Sequence, residues 1–371
     1  MSRIEEMIRE LCPNGVEYKA LGTVATIKNG KDYKHLIEGD ISVYGSGGIM
    51  TYVNCSVYDK PTVLIPRKGS LGNLFYVDTP FWNVDTVFYT EIDTSQILPK
   101  FLYYLLLKEQ LEKLNKAGGV PSLTQSMLNK ILLPVPPLAI QNEIVNILDK
   151  FTELETELET ELEARLKQYE YYRNKLLNFS EFAPKKIEVK WLTINKIATL
   201  KAGKSIAASE IEQFVTISQK YPCFGGNGIR GYVACYNRDG EYPVIGRQGA
   251  LCGNVCFAKS KFYATEHAVV VECHEGIIPR YMYFVLVNAN LNQYKTEGAQ
   301  PGLSVEKLNR IILPIPPMKE QQRVVAILDK FETLVNDISE GLPAEIAARR
   351  QQYEYYRDKL LTFPKHINYD E

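Results

Sequence analysis

The feature that most constrains this chain is an internal repeat. ILLPVPPLAIQNEIVNILDKF (131–151) returns as IILPIPPMKEQQRVVAILDKF (311–331), shifted by 180 residues, with 12 of 21 positions identical. QYEYYRNKLLNF (168–179) returns as QYEYYRDKLLTF (352–363), shifted by 184. Weaker echoes keep the same frame upstream. VYGSGGIMTYV (43–53) matches CFGGNGIRGYV (223–233), and IPRKGSL (65–71) matches IGRQGAL (245–251). LPKFLYYLL (98–106) matches IPRYMYFVL (278–286), and, shifted by 173, VATIKNGK (24–31) matches IATLKAGK (197–204). A tandem repeat of this size means one fold used twice.

Each copy has a Gly- and Tyr-rich front and a helical back. Val63-Leu64-Ile65 and Val87-Phe88-Tyr89 sit between Gly and Pro punctuation and read as strands. Helices are predicted over 99–116 and 123–130. Pro136-Pro137 suits a helix start, and 41 residues from Leu138 to Asn178 then pass without Pro or Gly. That is a helix of ~61 Å at 1.5 Å per residue. Ile144, Ile147, Leu148, Phe151, Leu154, Leu158 and Leu162 form its apolar stripe, which Tyr169, Tyr172, Leu176 and Phe179 continue. A stripe this long needs a second long helix, and the second copy supplies one over 318–363, with Phe331, Leu334, Tyr353, Tyr356 and Leu360 as its contact residues. Matching stripes predict an antiparallel coiled coil with pseudo-twofold symmetry. Gly341-Leu342-Pro343 predicts a break or kink in the second helix. The expected class is α+β: two strand-rich mixed α/β domains with short helices (1–137 and 181–317), separated by the helices 138–180 and 318–365.

Composition excludes several classes. With 45% hydrophobic and 23% charged residues the chain is ordinarily globular. No apolar run approaches the ~20 residues of a membrane span. The first eight residues read as an amphipathic helix and not a signal peptide, which points to the cytoplasm. Seven cysteines in so long a chain fit reduced thiols. The net charge of −1 gives no global case for a polyanion partner, so any such site is a local patch. The second front domain is the more basic, with 16 basic and 11 acidic side chains.

Catalytic motifs are fragments only. Ala202-Gly203-Lys204-Ser205 resembles the end of a phosphate loop but has Ala198 where that loop needs Gly. Cys252, Cys256, His267, Cys273 and His274 have no counterparts in the first copy, so zinc is not expected. Glu188-x-Lys190 lacks the Asp of a nuclease motif. What remains is a set of polar, basic, Gly-punctuated loops in both copies. One holds Lys28 and Lys31, matched by Lys201 and Lys204. A second holds Tyr44 and Ser46, matched by the loop of Asn227, with Arg230 beyond it. A third holds Arg67, Lys68 and Ser70, matched by Arg247 and Gln248. Arg can bond guanine edges in two places at once, while Lys and backbone N–H suit phosphates. Plain hairpin turns with solvated charges would look the same from one copy alone.

Two divergent fronts, each followed by LPxPPxxxQ…VxxILDKF and QYEYYRxKLLxF on a long helix, resemble the specificity subunit of type I restriction–modification systems, over essentially the whole chain. The resemblance implies that each front domain is a target-recognition domain reading half of a split site in double-stranded DNA. It implies helices that set the spacer and dock two methyltransferase subunits, with restriction–translocase subunits joining them. S-adenosylmethionine, ATP and Mg would then sit on the partners. This chain would be non-catalytic and bind no cofactor, with no membrane involved. The competing expectation is a coiled-coil adaptor that reads no bases.

Overall fold

The computed structural model describes residues 3–114, 122–179, 188–249, 251–296, 301–336 and 340–365. It divides into two units, residues 1–159 with 345–371, and residues 160–344. Each unit therefore owns one front domain and a segment of each long helix.

In the first unit, the strands Ala25–Asn29, Val87–Ile92, Thr62–Pro66 and Phe75–Val77 form an antiparallel sheet in that spatial order. Thr62–Pro66 is buried along its whole length, as a central strand of aliphatics should be. A second sheet orders Gly48–Val53, Ile41–Gly45 and Phe81–Asn83, the last pair parallel. Thr62 and Thr90 are buried polar groups in the first sheet, and their hydroxyls bond each other's strand.

The second unit repeats this plan. Ala198–Ala202, Ala268–Cys273, Tyr242–Gly246 and Val255–Ala258 make the first sheet. Gly228–Val233, Tyr221–Gly225, Lys261–Ala264 and Arg238–Asp239 make the other. Even a register shift in the hairpin recurs, at Val43/Tyr44 and at Cys223/Phe224.

The expected helix over 99–116 is shorter than the sequence suggested. Pro99–Lys108 is helical, Gln110 turns left-handed at φ +48°, and Leu111–Leu114 is a 3-10 turn. The second copy breaks identically, with Asn290 at φ +44° between Pro279–Asn288 and Leu291–Tyr294. Residues 115 and 116 lie outside the described residues.

The long helix Leu138–Leu177 is unbroken. Its start shows why the repeated block carries Gln. Gln141 is fully buried; its Oε1 accepts from Leu98 N at 2.8 Å, and its Nε2 donates to Gln96 O and Pro136 O. Gln321 does the same with Ile278 N, Gly276 O and Pro316 O. In each copy one amide joins the start of the long helix to the start of the front domain's helix.

The second helix is two helices, Met318–Asn336 and Leu342–Leu360. Pro343 falls in the first turn of the latter, where a missing N–H costs nothing, so of the two expected outcomes the helix breaks and restarts there. Residues 337–339, between the two helices, lie outside the described residues.

Within the first unit, Phe151 stacks on Tyr356 at 5.5 Å and 23°, with Tyr353 beside it. Arg350 pairs with both Glu155 and Glu159. As residue numbers rise along one helix they fall along the other, so the two segments run antiparallel. Within the second unit, Tyr172 stacks on Phe331 at 5.5 Å and 26°. Phe and Tyr have exchanged helices between the two stacks, as a twofold repeat requires. Tyr169 is buried, and Leu176 and Leu360 pack against the cores of their units. Leu158 is half-buried. Leu154 and Leu334, equivalent positions, are left 46% and 37% exposed.

Candidate nucleic-acid interface

The three loops singled out in the sequence come together in each unit. In the first, the buried strand ends at Pro66 and the chain turns out through Arg67, Lys68, Gly69 and Ser70. Arg67 N donates to Thr86 O and Arg67 O accepts from Leu123 N, both at 2.9 Å, which fixes the loop from two sides. Gly69 has φ +80°, and a Cβ there would lie 3.1 Å from Ser46 Oγ in the tip of the neighbouring hairpin. The third loop reaches the same place. Lys31 N donates to Asn83 O at 2.9 Å, and Trp82 Nε1 donates to Lys31 O. A Cβ on Gly30 would stand 2.0 Å from Val84 O, so only glycine permits this approach.

The second unit builds the same junction from different side chains. Arg247 N donates to His267 O at 2.9 Å, and Leu303 N donates to Arg247 O at 2.8 Å. Gly226 lies against Gln248 O and Gly203 against Ala264 O, each too close for a side chain. Asn254 Nδ2 donates to Asn227 Oδ1.

The predicted side chains meet different fates. Lys31, Lys68, Ser70, Lys204, Asn227, Arg230 and Gln248 are exposed, and Ser46 is half-buried. Lys28 and Lys201, equivalent residues, each face a carboxylate across the sheet, Glu91 at 3.3 Å and Glu272 at 2.6 Å. Tyr44 packs against Phe75 and Phe81, and burial pushes its hydroxyl pKa up. Its ring therefore serves the core. The Arg67 guanidinium lies 5.0 Å over the Phe88 ring. Both Arg67 and Arg247 bury an Nε that has no partner among the described residues. An arginine whose backbone is held on both sides has less to order when its guanidinium meets an acceptor from outside.

Sequence reasoning missed the turn at the centre of each junction, Asp85-Thr86 and Glu266-His267. Its carbonyls hold the arginine loops. The two turns share no residue type, so only the frame of the repeat could have found them.

The discounted motifs do not form sites of their own. Ala202-Gly203-Lys204-Ser205 follows a strand, but no helix follows it to cradle a phosphate. Among the described residues no group of three His, Cys, Asp or Glu is placed to hold a metal. All seven cysteines are free. Lys190 opens an exposed two-stranded pairing with Ile312–Ile315. Among the described residues no helix is long and apolar enough to cross a membrane.

Comparison with known proteins agrees with this architecture. The family model for the type I restriction modification DNA specificity domain matches twice, at residues 13–168 and 186–348. An Escherichia coli protein, the type I restriction enzyme EcoprrI specificity subunit, is 48% identical over 254 residues, 65% of this chain and 63% of that protein's length. A second Escherichia coli type I specificity subunit is 35% identical over 305 residues, 74% of each chain. The crystal structure of a type I restriction–modification S subunit from M. genitalium superposes with a TM-score of 0.65 at 19% identity, covering 94% of this chain and 96% of that one. It shares the fold. The chain belongs to the type I restriction–modification DNA specificity family. It is accordingly a DNA-recognition subunit, and a subunit of this family is not an enzyme by itself.

Proposed function

We propose that each front domain reads one half of a bipartite site in double-stranded DNA through the junction of its three loops. The observation that carries this reading is the recurrence of that junction in two domains whose side chains otherwise differ. Backbone contacts and close-packed glycines hold the same platform in each. The polar residues on it differ, half-buried Ser46 with exposed Lys68 and Ser70 against exposed Asn227, Gln248 and Arg230. A constant platform with variable side chains is what two different half-sites need.

The long helices dock two methyltransferase subunits and space the readers. The half-exposed Leu154 and Leu334, beside the Phe–Tyr stacks, offer apolar surface for such docking. S-adenosylmethionine sits on those partners, and ATP and Mg on a restriction–translocase subunit. The assembly works in the cytoplasm. Absence of a strong net charge fits a subunit whose partners share the phosphate contacts.

The test is reconstitution. The purified chain with S-adenosylmethionine, ATP and Mg should neither methylate nor cut DNA, and adding its methyltransferase partner should produce methylation at a split site. Methylation by a mass-verified, partner-free preparation would contradict the reading. Site-independent methylation by the reconstituted complex would favour the adaptor that reads no bases.

A further inference from the structure

The repeated ILDKF block ends in a charged pair whose geometry differs between the copies. In the first unit, Asp149 accepts from Lys100 Nζ and Tyr104 Oη, both at 2.6 Å. In the second, Arg280 Nε donates to Asp329 at 2.7 Å, and the same guanidinium pairs with Glu332. Tyr283 Oη donates to Glu332 at 2.8 Å. Arg280 also lies 4.8 Å from the ring centres of Phe257, Tyr283 and Phe284. Lys100 has a single ring, Tyr76, at 5.5 Å. Lys100 and Arg280 are equivalent residues on the first turn of equivalent helices, and Asp149 and Asp329 are equivalent on the long helices.

These pairs are the polar joints between a reading domain and its spacer helix. Each lies about two helical turns beyond the buried Gln141 or Gln321, so the amide and the ion pair together fix where the front domain's helix lies along the long one. A guanidinium held by two carboxylates and stacked among rings resists sliding and rotation. An ammonium on one carboxylate is a point contact and swivels.

We propose that Lys100–Asp149 and Arg280–Asp329–Glu332 are positioning residues for spacer length, a rigid joint in the second unit and a looser one in the first. They touch no DNA. They set how sharply the complex rejects a target whose half-sites are one base pair too close or too far. The inference rests on the reading that the helices space the two readers.

The two copies supply their own test, because each can be given the other's residue. Full-length chains carrying R280K, K100R or R280A, and one lacking Thr156–Glu159, are each expressed with the methyltransferase partner. Methylation is measured on duplexes with the native spacer and with one base pair more or fewer, together with melting temperature. R280K should lower discrimination against wrong spacers by about tenfold, the equivalent of ~1.4 kcal/mol. R280A should lower it further, and K100R should sharpen it, all with the half-site bases unchanged. A merely structural role would move the melting temperature and leave the spacer profile alone, which overturns the proposal. K100R and R280K, each a residue the other copy already uses, keep the test open if R280A fails to fold. If the Thr156–Glu159 deletion changes the spacer while the joint variants do not, the joints have no positioning role. If neither changes it, the spacing role of the helices fails and this inference with it.

Discussion

At the residue scale, the two arginines that close the reading loops carry the account. Arg67 and Arg247 each sit half-buried, held by backbone on both sides and with a buried Nε left over. Arg67→Ala and Arg247→Ala should each weaken DNA binding by the assembled methyltransferase by ~1–3 kcal/mol, the worth of a bidentate guanine contact. The loss should fall on one half-site only, a different one for each variant. A uniform loss over unrelated sequences in a binding titration would assign them to phosphate. Unchanged binding with an intact fold would make the loops plain turns. The cysteines make a second residue-scale prediction. Burial pushes the Cys223 thiol up to about 11 and Cys273 up to about 12, whereas Cys235 is exposed. At pH 8 the two raised thiols hold almost no thiolate, the reactive form. Iodoacetamide followed by peptide mass spectrometry should find Cys235 modified first, and Cys223 and Cys273 only after unfolding. Equal rates in the folded chain would contradict the packing described here.

At the scale of elements, the spacer is the long helix, and its centre reads TELETELETELE from Thr152 to Glu163. Arg350 on the antiparallel partner segment pairs with Glu155 and Glu159, one from each of two successive repeats. Deleting Thr156–Glu159 shortens the helix by ~6 Å and turns it by a net ~40°. One base pair is ~3.4 Å and ~35°. The repeat also regenerates its own contact, because Glu163 then takes the place of Glu159 opposite Arg350. The deletion should keep both half-site sequences and shorten the unread spacer by one base pair, read by sequencing the methylated positions in cells carrying it. An unchanged spacer would remove the ruler role from this stretch. A changed half-site would mean that ruler and reader are not separate.

At the scale of the molecule, the repeat made the double fold, the paired helices and the loop candidates legible. Identical residues recur where equivalent packing recurs, at Gln141 and Gln321 and at Phe151 and Phe331. Where packing differs the sequence misleads. The helix predicted over 99–116 ends early because Gln110 adopts left-handed backbone, which glutamine does not announce, whereas its counterpart Asn290 is of a type that favours it. The Gly341–Pro343 segment leaves break and kink open, and the structure starts a new helix there, since proline is harmless in a first turn. Tyr44 looks like a surface aromatic on a polar loop, yet its strand turns the ring onto Phe75 and Phe81. Lys28 and Lys201 look free until the sheet sets Glu91 and Glu272 beside them. The turns at Asp85 and Glu266 could not be found from residue type, because their role is to lend backbone carbonyls.

The central claim is that this chain is two independent readers on one spacer, and exchange of a reader tests it most directly. Residues 181–317 are replaced by the corresponding segment of another family member, the chimera is expressed with its methyltransferase partner, and the methylated sites are sequenced. A new sequence is expected in one half of the site, with the other half and the spacer as before. A change in both halves, or in neither, would contradict it.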